Sequence, residues 1–159
     1  MEKPLKFKYQ ASLDSFLSEC EKWLLDGRRR KLIDYSSHAL YWNGDKLKAL
    51  NSKVLKEFAE EANVYAIFSK KPNEEFRLRY IGQTKSSGAG ARLTNHLFKK
   101  NDNTGAKLKK VKEHVKSGGS IAVSWIPLES ESLRHYIEEE LIVEHCDKLD
   151  WNLKKPKCK

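Results

Sequence analysis

Residues 63–83 read NVYAIFSKKPNEEFRLRYIGQ, and this stretch decides the fold class. The run VYAIF (64–68) is β-branched and aromatic, the habit of a strand. KKPNEE (70–75) is polar and centres on Pro72-Asn73, a pair that turns the chain. FRLRYIG (76–82) then alternates Phe76, Leu78 and Tyr80 against Arg77, Arg79 and Ile81. Two such runs around such a turn predict a β-hairpin.

Downstream, KSSGAG (85–90) is a loop leading to a helix near 91–100, where Leu93 and Leu97 lie four apart. Thr104-Gly105 opens a second, basic helix carrying Leu108, Val111 and Val115, and Gly118-Gly119 stops it. IAVSWIPL (121–128) reads as a third strand. Ser130 with Glu131 starts a last helix whose stripe is Leu133, Ile137 and Leu141. The order β-β-α-α-β-α predicts an α/β (α+β) domain over residues 62–153, a small three-stranded antiparallel sheet flanked by helices.

Residues 1–61 read as a helical N-terminal extension. Leu13, Phe16, Leu17, Cys20, Trp23 and Leu24 fall at helical spacing, Gly27 ends the helix, and the cluster Arg28-Arg29-Arg30-Lys31 follows. HALYW (38–42) leads to an Asn43-Gly44 turn and a second helix over 45–61, with Leu47, Leu50, Val54, Leu55 and Phe58 on one side. Residues 154–159 form a basic tail.

The chain has 159 residues, 31 basic against 22 acidic, for a net charge of +9. A polyanion is the natural partner class. The excess is uneven: residues 92–116 hold eight basic and two acidic side chains, and residues 129–150 hold eight acidic and two basic. Cations beside carboxylates suit a metal-dependent nuclease, and they equally suit two solvated helices. No apolar run approaches a membrane span, so no membrane partner is expected. Cys20, Cys146 and Cys158 are an odd set without CxxC spacing, which points to neither a disulfide framework nor a zinc ribbon and makes a reducing cytoplasm the expected compartment. His135 and Glu139 stand four apart, but nothing supplies further zinc ligands, and neither a P-loop nor a GxGxxG is present.

Several residues form an ordered set. Asn63-Val64-Tyr65 lies on the first strand and Tyr80-Ile81-Gly82 on the second, continuing as Gln83-Thr84-Lys85. Arg92 and His96 stand four apart on the next helix. Glu138 precedes Leu141-Ile142 on the last helix, and Trp151-Asn152 follows. This set resembles the GIY-YIG nuclease superfamily, and the element order is also that family's. Two positions depart from it: Asn63 stands where glycine is usual, and Gln83 where several members carry lysine.

The resemblance implies a DNA endonuclease using Mg²⁺ or Mn²⁺ on double-stranded DNA, of restriction or phage type, acting as a homodimer or by successive nicks. It implies Tyr65 as general base and Tyr80 as its assistant. Arg92 would be the cation for the scissile phosphate, its planar donors suited to two oxygens. His96 would accept a proton or bond a tyrosine or the phosphate. Glu138 would be the one protein carboxylate on the metal, and Asn152 would fix a loop or a tyrosine. Gly82 would let backbone approach a phosphate. Lys85, Lys99, Lys107, Lys109 and Lys110 would add phosphate contacts. Glu140 competes with Glu138, lying nearer the centre of the apolar stripe. Taken singly, each residue also has an ordinary structural reading, and a non-catalytic nucleic-acid-binding module is the alternative function.

Overall fold

The computed structural model of the chain describes residue 5 and residues 7–36, 41–99, 107–152 and 158. Four antiparallel strands are present among them: β1 (Lys31–Leu32), β2 (Val64–Lys70), β3 (Arg77–Gln83) and β4 (Ser120–Ile126), in the order β1-β4-β2-β3. β2 and β3 are the hairpin, and Asn73 takes the left-handed conformation (φ 63°) in its turn. β2 is buried from Val64 to Ser69 because it is flanked by strands on both sides and covered on both faces. That position explains an unbroken apolar run where an edge strand would alternate.

The sheet therefore has four strands, one more than expected. β1 pairs with β4 through Lys31 opposite Val123 and Leu32 opposite Ala122. It is two residues long, exposed and embedded in the basic cluster, so it carries no apolar pattern to read. It also ties the segment before residue 62 into the sheet.

A second departure lies in β3. Ile67 faces Tyr80 but Phe68 faces Leu78, so Arg79 is an extra, bulged residue. The bulge puts Leu78 and Tyr80 on opposite faces, where simple alternation predicts the same one. Arg79's carbonyl accepts from the Trp151 N–H (3.1 Å), and its side chain donates to Ser69 Oγ (2.8 Å) and pairs with Asp150.

Six helices cover the sheet among the described residues. On one face, Tyr65, Ile67, Tyr80, Ile121, Val123 and Trp125 meet α3 (Ser52–Glu61), α4 (Ala89–Leu97) and α5 (Leu108–Lys116) through Phe58, Leu93, Leu97 and Val111. On the other, Val64, Ala66, Phe68, Leu78 and Ile81 meet α1 (Gln10–Leu25) and α6 (Arg134–Glu144) through Leu24, Ile137 and Leu141. The helix expected over 45–61 is two: α2 (Gly44–Leu50) and α3, broken at Asn51. The buried Asn51 side chain accepts from the Asp34 N–H (2.8 Å) and donates to the Asp34 carbonyl (2.9 Å), so it serves the chain crossing it.

Cys146 and Cys158 are joined by a disulfide, against the expectation from their spacing, while Cys20 is free and buried. Asn152 and Trp151 bond to β3, turning the chain after α6 back toward it, and a pairing set by that return leaves no spacing motif. The bridge also removes the argument on which a reducing compartment rested. No helix among the described residues is long and apolar enough to cross a membrane. His38, Lys100, the Thr104-Gly105 helix start and most of the basic tail lie outside the described residues.

Candidate active site

β2 and β3 present Tyr65 and Tyr80 to the α4 side of the sheet, with ring centroids 5.9 Å apart. Tyr65 is fully buried, wedged edge-on against Phe58 (5.4 Å). Tyr65 is directly opposite Gly82 in the ladder. A Cβ on Gly82 would sit 2.6 Å from the Tyr65 hydroxyl and 2.8 Å from the Tyr80 ring, so glycine here makes room for the two phenols. The expected reason was access for a phosphate; in this structure the space is occupied by tyrosine.

α4 brings Arg92 and His96 to the same hydroxyl. Arg92 Nε donates to Tyr65 Oη at 3.2 Å, and His96 Nε2 lies 2.8 Å from it. The backbone N–H of Lys107 donates to His96 Nδ1 (3.1 Å), so Nδ1 is bare and the neutral ring carries its proton on Nε2. His96 therefore donates to Tyr65. Burial, with Arg92 and Lys107 adding to it, depresses the His96 pKa to about 3, which keeps the ring neutral. Of the roles expected for His96, bonding the tyrosine is the one this geometry allows, since neither ring nitrogen has a lone pair to spare.

Two donors converge on Tyr65 Oη, an arrangement that favours a phenolate. Burial opposes it more strongly, and Tyr80 adds to burial, so the Tyr65 pKa lies well above its ordinary value despite Arg92. In this state Tyr65 keeps its proton and has no surface open to water, whereas Tyr80 is 7% exposed. Arg92 is itself exposed and joins no ion pair among the described residues. It is thus both the cover of Tyr65 and an uncommitted cation at the surface.

Glu138 comes from α6. It is half-buried, with no hydrogen-bond or ion-pair partner among the described residues, and burial lifts its pKa to about 7 against the pull of Arg92. Glu139 beside it is exposed. The field of Arg92 acts on Glu138, which relates that carboxylate to the guanidinium on Tyr65. No group of three or more His, Cys, Asp or Glu side chains that could hold a metal is present among the described residues. One unpartnered carboxylate suits a hard divalent cation that takes its remaining oxygens from water and phosphate.

Asn152 bonds the Ile81 backbone in both directions, accepting from its N–H (3.1 Å) and donating to its carbonyl (2.9 Å). It thereby fixes the loop after α6 along the free edge of β3, next to Tyr80. Lys85, Lys109 and Lys110 are exposed, and Lys99 pairs with Asp45 at 3.3 Å. Lys107 is only 7% exposed and contributes its backbone to His96, so it is not a surface phosphate contact here.

Sequence reasoning missed a second network beside the tyrosines. Asn63 donates to Glu131 (2.8 Å) and to the Thr84 carbonyl (3.3 Å), and accepts from the Leu128 N–H (2.8 Å). Glu131 also accepts from the Ser86 N–H (2.7 Å) and hydroxyl (2.6 Å), bonds that with Asn63 hold its pKa near 2. Arg134 donates from Nε to Gln83 (2.9 Å) and from Nη1 to the Glu131 carbonyl (2.9 Å). The two positions that depart from the GIY-YIG pattern are thus both engaged in anchoring the start of α6 to the ends of β2 and β3. The sequence placed Glu131 at the start of the last helix but gave no sign of this network's other members, which come from the residue before β2, from the end of β3 and from the loop after β3. Comparison with protein-family profiles, with curated protein sequences and with solved structures finds no match.

Proposed function

We propose that this protein is a metal-dependent endonuclease of the GIY-YIG kind, hydrolysing phosphodiester bonds in double-stranded DNA. The observation that carries the reading is the convergence of Arg92 and His96 on the Tyr65 hydroxyl, with Arg92 also acting on the Glu138 carboxylate, which has no hydrogen-bond or ion-pair partner among the described residues. Phosphodiester hydrolysis needs an activated water and positive charge at the phosphate. Arg92 answers the second need. When its guanidinium turns from Tyr65 to a phosphate oxygen it uncovers the phenol, whose proton must pass to bulk solvent before the oxygen can take one from water, a loss that the cation held by Glu138 would have to favour in place of Arg92. His96 continues to hold the Tyr65 oxygen in place, and Tyr80 orients the water. Glu138 would hold Mg²⁺ or Mn²⁺, which supplies charge for the developing phosphorane when bound. The exposed Lys85, Lys109 and Lys110 are the contacts assigned to the DNA backbone.

The enclosure of Tyr65 favours a second reading, in which the same fold binds nucleic acid without cutting it. Incubation of supercoiled plasmid with the protein in Mg²⁺ or in EDTA separates the two. Nicked or linear product that EDTA abolishes supports the nuclease. Tight, salt-sensitive binding with intact plasmid supports the binding module.

A further inference from the structure

On the sheet face away from Tyr65, a cavity of about 610 Å³ opens beside the turn end of the hairpin. Leu25, Phe68, Phe76 and Leu78 form its apolar wall, and all four belong to the α1 and α6 side of the core. Arg30, Arg77, Arg79 and Lys148 also line it, with Asp147, Asp150 and His145. Arg79 is paired with Asp150, and His145 with Glu21 at 3.3 Å. Arg30, Arg77 and Lys148 join no ion pair among the described residues.

Arg30 is held in place without being satisfied. Its guanidinium carbon lies 4.3 Å from the Phe68 ring centroid and its Nη2 donates to the Leu25 carbonyl (3.3 Å), while its Nε is buried with no hydrogen-bond partner among the described residues. A guanidinium held by stacking and one backbone bond is well prepared for a planar or tetrahedral oxyanion at its accessible donors, the enclosed Nε not being one of them. The volume falls in the range of sites for small organic ligands, roughly 300–1,000 Å³. Cations over an apolar wall select a ligand with both an anionic and a hydrophobic part.

We infer that this cavity binds a phosphomonoester attached to a planar or apolar group, of the size of a nucleotide. Free nucleotides and the 5′-phosphate end of a nucleic-acid strand share that chemistry. The site uses none of Tyr65, Arg92, His96 or Glu138, so it stands or falls apart from the nuclease reading.

Isothermal titration in EDTA tests it, with adenosine monophosphate, a 5′-phosphorylated trinucleotide, inorganic phosphate and adenosine as probes. One of the first two binds, at least about tenfold more tightly than phosphate or adenosine, and the tighter of the pair identifies the source. Arg30→Gln and Arg77→Gln each weaken that binding about tenfold or more. Arg77 is exposed, so its variant keeps the test decisive if Arg30→Gln does not fold. The inference is overturned if neither phosphomonoester binds at about 1 mM, or if binding survives in both folded arginine variants.

Discussion

Replacing Glu138 by Gln makes the protein more stable at neutral and alkaline pH and leaves it unchanged below about pH 4. Burial raises the Glu138 pKa from 4.5 to about 7, with Arg92 opposing and Glu139 adding to the rise. The folded state therefore keeps a proton over a pH range in which the unfolded chain has released it. Below pH 4.5 both states are protonated and the contribution to stability is complete; it is lost as pH rises to about 7, and above that the loss is constant. At 1.36 kcal/mol per pKa unit the full shift amounts to about 3 kcal/mol, and solvent reaching a half-exposed carboxylate reduces this to about 1–2 kcal/mol. Glutamine has the same shape and cannot ionise. Urea unfolding in EDTA, followed for both proteins from about pH 5 to pH 9, measures the difference directly. The variant gains about 1–2 kcal/mol over the wild type by about pH 8, nearly all of it acquired before pH 7. A difference that does not vary with pH, or one in which the wild type gains as pH rises, refutes the burial of a lone carboxylate. Mg²⁺ added at about pH 8 raises the wild-type melting temperature and leaves that of Glu138→Gln in place.

His96 gives nitrogen NMR shifts of the Nε2–H tautomer and stays neutral down to about pH 4, well below the ordinary histidine value, because its pKa lies near 3. Titration near pH 6.5 would contradict the burial of the ring, and an Nδ1–H tautomer would show that Lys107 does not hold Nδ1. Gly82→Ala drives a methyl group into both phenols and costs about 1–3 kcal/mol in chemical denaturation, with a changed near-ultraviolet tyrosine signal. An unperturbed variant would mean the phenols are not packed on that backbone. Mass spectrometry after alkylation without reductant finds Cys146 and Cys158 joined and Cys20 as the free thiol. In the native protein Cys20 reacts slowly, since burial, aided by Glu19, raises its pKa to about 11.

The hairpin was legible because VYAIF and FRLRYIG carry strand chemistry around a turn-forming Pro-Asn pair, and each strand was long enough to show it. β1 was illegible for the opposite reason, being two exposed residues that owe their strand geometry to β4 alone. The bulge at Arg79 is also a tertiary choice: outside the ladder its carbonyl accepts from the Trp151 N–H and its side chain donates to Ser69 and Asp150. Asn51 breaks a helix whose apolar spacing continues unbroken, because its amide is needed by residue 34. In the site, the resemblance to the GIY-YIG pattern pointed to Tyr65, Tyr80, Arg92 and His96, whose side chains the fold brings together. What spacing could not give was direction. The tautomer of His96 depends on a backbone N–H eleven residues away, and the burial of Lys107 depends on how α5 packs on α4.

The central claim is that Tyr65 and Glu138 serve phosphodiester hydrolysis. Its most direct test is single-turnover cleavage of an end-labelled DNA duplex in Mg²⁺, comparing wild type with Tyr65→Phe and Glu138→Ala. Substrates are drawn from plasmid fragments that the wild type cuts. The account predicts that each variant binds the duplex as the wild type does and cleaves it about 10²- to 10⁴-fold more slowly. Cleavage at the wild-type rate by both folded variants, or a wild type that binds duplex DNA and cuts none of it, would contradict the claim.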